Sequence, residues 1–171
     1  MFNLTVEELR AQLAAPTFGK KAIRAQIIAY YAFDNRLTIS AGKKQGVEDQ
    51  LPVVTSAGLL GVISTVDENT SQVTLITAPT TSVGALLMAG TPVAGLTRGE
   101  TSSRLVLDIV ENVEIKTGDK VFTSGYGKFT PRGIPIGEVT EVIKDPDYGT
   151  TRAFVFPYAR TGISQSVAVL K

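Results

Sequence analysis

Beyond residue 20 the chain is a succession of short apolar runs cut by turn residues, with no crossover helix between them. That pattern constrains the fold more than any motif. Parallel strands need a connection of a dozen or more residues, usually a helix, so a doubly wound sheet is excluded. Strands read at 23–31, 36–40, 52–56, 59–66, 72–78, 82–88, 93–97, 104–110, 120–124, 136–143, 151–157 and 166–170, mostly rich in Val, Ile, Thr, Phe or Tyr. Asp34-Asn35, Ala41-Gly42, Pro79-Thr80, Arg98-Gly99 and Asp145-Pro-Asp-Tyr-Gly149 punctuate them. An all-β fold follows, either a sandwich or barrels.

An internal repeat narrows the choice. Val53-Val54-Thr55-Ser56 matches Val121-Phe122-Thr123-Ser124, and Gly58-Leu-Leu-Gly61 matches Gly133-Ile-Pro-Ile-Gly137. The strands Gln72–Ile76 and Arg152–Phe156 then correspond. Each copy is led by a lysine-containing turn, Gly42–Gly46 and Val113–Gly118, and the second copy carries extra residues, Tyr126–Arg132. Two similar units, each a small barrel, are expected. Phe154 and Phe156 are expected in the core.

Residues 4–15 read as a short helix. Thr5 and Glu8 form a capping box, Val6, Leu9 and Leu13 share one face, and Pro16 ends the element. Alone, so short a helix is marginal in water. It is either docked on its own domain or the end of a coiled coil.

The chain has 171 residues, 17 basic and 16 acidic, and neither histidine nor cysteine. That removes disulfides, the usual zinc ligands, and Ser-His-Asp or Cys-His catalysis. The absence of cysteine fits a reducing compartment or an exported bacterial protein without bridges. A net charge of +1 without a basic tract argues against nucleic acid and against a polybasic membrane patch. No 18-residue apolar run is present, so the sequence as it stands is expected neither to span a membrane nor to carry a signal.

The glycine-rich stretch 117–139 invites a chemical reading. A phosphate loop needs G-x-x-x-x-G-K-[ST] opening a helix, but Phe129 follows Gly127-Lys128 and Phe122 stands at the first glycine. Ser124 has only Lys120 or Lys128 as a nearby base, both in polar sequence where a lysine stays solvated and protonated. Glu141, Asp145 and Asp147 lack calcium-loop spacing. No catalytic residue, cofactor or metal is expected. The bland reading is a barrel corner, with aromatic residues that offer rigid contact area to a partner.

The series Gly118-Asp-Lys-Val-Phe-Thr-Ser-Gly125 with Pro131-Arg-Gly133-Ile-Pro-Ile-Gly137-Glu-Val, joined by Ile39–Val47, Leu51–Gly61 and Val73–Pro79, resembles the MreC family of bacterial rod shape-determining proteins. The resemblance covers roughly residues 22–170. It departs from the family at Tyr126-Gly-Lys, where another glycine is usual. It implies two antiparallel six-stranded barrels, chymotrypsin-like but non-catalytic, behind a short N-terminal helix. Residues 1–17 would be the end of a coiled coil with Val6, Leu9 and Leu13 on the dimer face. Residues 18–80 with about 160–171 would make the first barrel, and 81–159 an inserted second. It further implies a piece of a longer protein, anchored by a transmembrane helix this chain lacks, on the extracytoplasmic side of the membrane. The function implied is a non-enzymatic scaffold of cell elongation. Its partners would be itself, as dimer or filament, the elongation penicillin-binding protein, and rod-complex membrane proteins such as MreD, with no nucleic acid and no small-molecule substrate. The contact residues expected are Tyr126, Phe129, Pro131 and Ile134 in the long loop, with Tyr30, Tyr31 and Phe33 at the first barrel's rim. A hydrolase of the same fold using a Ser-Lys base and a small-ligand β module are the alternatives; the second needs a closed apolar cavity of a few hundred Å³.

Overall fold

A computed structural model describes residues 17–109, 113–126, 130–145, 150–159, 161 and 165–171. The expected helix at 4–15, Phe129, and the turn at 146–149 lie outside the described residues. Twelve strands run β1 Ala22–Tyr31, β2 Arg36–Ile39, β3 Pro52–Val54, β4 Leu59–Val66, β5 Ser71–Leu75, β6 Ser82–Ala89, β7 Thr91–Thr101, β8 Arg104–Ile109, β9 Lys120–Thr123, β10 Pro135–Asp145, β11 Thr150–Pro157 and β12 Ser166–Leu170. Among the described residues the helical turns are two short 3-10 segments, Ala32–Asp34 and Lys43–Gln45. The strands close into two barrels, β1-β12-β3-β4-β5-β2 and β10-β11-β8-β7-β6-β9, and closure leaves no sheet edge unpaired.

The sequence repeat has a structural counterpart. Reading β3, β4 and β5 as equivalent to β9, β10 and β11 also pairs β2 with β8, β1 with β7 and β12 with β6, and the two rings then run in the same order. One unit is a permutation of the other, because the β6 equivalent of the first barrel comes last in the chain. Register shifts fall at β1/β2, β3/β4 and β4/β5, and again at the equivalent pairs β7/β8, β9/β10 and β10/β11. Such bulges increase the local twist, which lets so few strands close. Gly61 and Gly137 correspond too: a side chain at either would run into a neighbouring strand's carbonyl, that of Thr74 or Phe156.

Both barrels fill with alternate aliphatic side chains. Ile27, Leu37, Ile39, Val53, Ile63, Val73 and Val169 pack the first, and Leu87, Leu105, Leu107, Ile109, Val121 and Val155 the second. The second cluster does not stop at its own barrel. Val54, Leu59, Ile76, Ala168 and Leu170 of the first barrel join it, each almost wholly buried. Burying a large aliphatic side chain contributes about 1.5–3 kcal/mol, so the dock between barrels is worth several kcal/mol. Backbones meet there directly. A Cβ on Gly58 would overlap the Pro135 carbonyl, and one on Gly99 the Thr77 carbonyl, while Gly99 N–H donates to Ala78 O at 3.2 Å.

Three expectations are corrected. Arg98-Gly99 is no turn: both lie inside β7, and the chain turns after Thr101. Gly99 is a glycine because the other barrel's backbone presses on it. The strand expected at 72–78 stops at Leu75, where a turn carries the chain to the second barrel. Phe154 and Phe156 are half-exposed, because alternation along β11 sends Ala153 and Val155 inward. The Arg104 guanidinium covers the Phe154 ring at 4.3 Å from its centroid.

Candidate protein-interaction surfaces

The β1–β2 hairpin presents Tyr30 and Tyr31 exposed and Phe33 wholly in solvent, at 104% of reference exposure. The turn that carries them is held firmly. Asn35 sits in the left-handed region at φ 47°, its carbonyl accepts from Leu75 N–H at 2.8 Å, and its side-chain oxygen accepts from the Thr77 hydroxyl at 3.2 Å. Arg36 lies 5.0 Å from the centre of the Tyr31 ring and pairs with Asp34 at 3.4 Å. Rigid aromatics lose little entropy on binding.

The long loop between β9 and β10 is pinned at its root by Thr123. Its hydroxyl donates to Pro131 O at 2.7 Å and accepts from Ile134 N–H at 2.9 Å. Thr55 is its equivalent in the first barrel, accepting from Ala57 N–H at 3.1 Å. Valine at 123 keeps the shape but orphans a buried N–H and a carbonyl. Thr123→Val is therefore expected to lower stability by about 2–4 kcal/mol, read by chemical denaturation.

Above that root, Tyr126 is 87% exposed. Its N–H donates to Ser124 Oγ at 3.2 Å, and its Cβ would lie 3.1 Å from a side chain at Gly84, so the missing side chain of β6 makes its seat. Pro131 is half-buried. Ile134 is not a contact residue: at 0% exposure it points into the second barrel's core. Tyr126 and the Tyr30–Phe33 cluster belong to different barrels.

The surroundings of Ser124 bear on catalysis. Ser124 Oγ is engaged by the Tyr126 N–H, and Lys120 is four residues back along an extended strand, about 13 Å away. Tyr158 is held above the ordinary phenol range, first by burial and then by the nearby Glu138 carboxylate. Among the described residues no group of three or more carboxylates could hold a metal ion, and no helix is long and apolar enough to cross a membrane. A cleft of about 480 Å³ lies between the barrels, lined by Tyr30, Leu60, Ile76, Thr77, Phe156 and Pro157. It opens to solvent beside the exposed Ser102 and Ser103, and so is not the closed cavity a small-ligand module needs.

Two closed six-stranded barrels, docked through a shared core and carrying exposed aromatics on pinned turns, define a two-barrel all-β class of protein. Residues 29–171 match the model of the rod shape-determining protein MreC, barrel core, and the chain belongs to the MreC family. A cell shape-determining protein MreC of Streptococcus pneumoniae is 31% identical over 143 residues, covering 79% of this chain and 53% of the relative. The chain thus spans about half the length of that relative. The crystal structure of MreC from Pseudomonas aeruginosa superposes with TM-score 0.82 at 28% identity, covering 88% of this chain and 99% of that one. A structure of the major periplasmic domain from the cell shape-determining filament MreC gives 0.77 at 28% identity, covering 88% and 95%. MreC from Helicobacter pylori, solved in complex with a penicillin-binding protein (PBP2), gives 0.69 at 18% identity, covering 88% and 98%, a likeness of fold.

Proposed function

We propose that this chain is the extracytoplasmic part of a non-enzymatic scaffold that maintains cell shape, associating with itself and binding a penicillin-binding protein of the elongation machinery. The observation that carries the reading is the set of aromatic side chains held in solvent on rigid turns. The H. pylori relative solved with PBP2 supports the synthase partner. The relatives described as a filament and as a periplasmic domain support self-association and location. Family resemblance extends the proposal to other membrane proteins of the rod complex, MreD among them. Residues 4–15 would be the end of a coiled coil through Val6, Leu9 and Leu13, leading back to a membrane anchor.

Tyr126 and Pro131 on one barrel and Tyr30, Tyr31 and Phe33 on the other are the proposed contacts, and the sequence adds Phe129. Interface aromatics commonly contribute 2 kcal/mol or more, whereas exposed substitutions rarely move stability beyond about 0.5 kcal/mol. Tyr126→Ala should therefore weaken binding to the synthase ectodomain by about tenfold or more while leaving the unfolding midpoint in place. Calorimetric titration beside a denaturation curve checks both. Unchanged binding by a folded Tyr126→Ala, Phe129→Ala double variant would remove the loop from the interface.

A further inference from the structure

The cleft between the barrels has a lining that narrows what it can hold. Its volume of about 480 Å³ falls within the range of roughly 300–1,000 Å³ for ligand sites, and it lies where two compact units meet, a common place for them. The buried part of the lining is apolar: Leu60, Leu75 and Ile76 are each no more than 4% exposed. The rest is hydroxyl and aromatic. Thr77, Ser102, Ser103 and Thr161 bring hydroxyls, Phe156 a ring, and Tyr30 both. No described residue that lines the cleft is charged.

Each feature excludes a class of ligand. An ion placed here would give up water without meeting a counter-charge. A peptide added as a strand needs a row of free backbone groups. The walls have spent theirs: Leu75 N–H donates to Asn35 O at 2.8 Å, Ile76 N–H donates to Leu60 O at 3.0 Å, and Phe156 and Pro157 pair with Glu138 and Gly137 of β10. Recognition is left to side-chain hydroxyls, which both donate and accept. The Thr77 hydroxyl already donates to Asn35 Oδ1 at 3.2 Å and keeps its lone pairs for an incoming donor. A sugar ring is the complement of such a lining. Its edge carries hydroxyls that donate and accept, and its faces carry C–H groups that suit the negative face of an aromatic ring. We infer that the cleft binds a neutral oligosaccharide, its C–H faces on Tyr30 and Phe156 and its hydroxyls toward Thr77, Ser102 and Ser103. The cleft opens to solvent, so a chain longer than the bound rings can continue out of it. This site is separate from the self-association and synthase binding proposed above and does not depend on either.

Hydrogen bonds between uncharged groups contribute little net free energy, so the binding is weak and the titration must reach millimolar sugar. Nitrogen–proton correlation spectra of the chain are recorded against chitotetraose and, separately, cellotetraose. At least one of these neutral sugars should shift the amides of Leu75–Thr77, Ser102, Ser103 and Phe156 above all others. A hyaluronan tetrasaccharide, which carries carboxylates, should bind at least tenfold more weakly. The double variant Ser102→Ala, Ser103→Ala, on an exposed turn where folding is spared, should weaken neutral-sugar binding about fivefold or more, and Tyr30→Ala should do the same. Tyr126→Ala, outside the cleft, should leave it unchanged. Spectra that neither neutral sugar moves would overturn the inference. So would shifts confined to other surfaces, shifts that both cleft variants leave intact, or tighter binding of the charged sugar. The scaffold reading would survive any of these results, since its own tests are association and synthase binding.

Discussion

Gly99→Ala is expected to lower the unfolding free energy by about 3 kcal/mol or more, the upper range for forcing extra volume into a packed site. For a chain of this size that corresponds to a fall in melting temperature of roughly 6–12 °C. The reason lies across the dock, not in β7 itself. The three atoms nearest the added Cβ are all backbone, of Thr77 and Ala78, and cannot swing aside as a side chain would. The hydrogen bond from Gly99 N–H to Ala78 O ties the same two segments and would stretch with them. Gly90→Ala, in the β6–β7 hairpin, is the comparison. It too puts a Cβ on glycine, at φ +86°, but into open space. Its expected cost is about 1–2 kcal/mol of backbone strain alone. Circular dichroism melts of the two variants check the difference. Equal and small shifts would mean that the barrels are loosely joined.

Ile134→Ala should cost about 2–5 kcal/mol, the range for truncating a fully buried aliphatic side chain that leaves a cavity. Ile134 sits among Leu87, Leu105, Leu107, Val121 and Val155, so its loss is felt by the whole second barrel. Tyr126, eight residues earlier in the same loop, should behave in the opposite way, with stability spared and binding lost. Guanidinium denaturation of both alanine variants separates the roles. An Ile134→Ala variant as stable as the parent would place that side chain at the surface and reopen its part in binding.

The contrast between these residues shows what was legible in the sequence. Strand content and the repeat were readable because alternation of Val, Ile and Thr reports burial locally, and Val53–Thr55 against Val121–Thr123 kept the same inward and outward order. Ile134 was misread because the loop's last residue already faces the core, which proximity to Tyr126 conceals. Gly99 was misread as a turn because the neighbour that demands a glycine lies more than twenty residues away, at Thr77. Phe154 and Phe156 misled through residue type: aromatic character favours the core, but phase along β11 decides the face. Tyr30, Tyr31 and Phe33 are exposed beside the turn that the sequence marks at Asp34-Asn35, and their part in binding is a proposal.

The proposed scaffold works by contact with copies of itself and with a penicillin-binding protein. Sedimentation velocity of the chain across a wide concentration range, repeated with the penicillin-binding protein ectodomain of the same organism, tests it most directly. Self-association predicts an average mass that rises with concentration for the chain alone, and synthase binding predicts a faster boundary containing both proteins in the mixture. A chain that stays monomeric throughout and sediments independently of the synthase would contradict it.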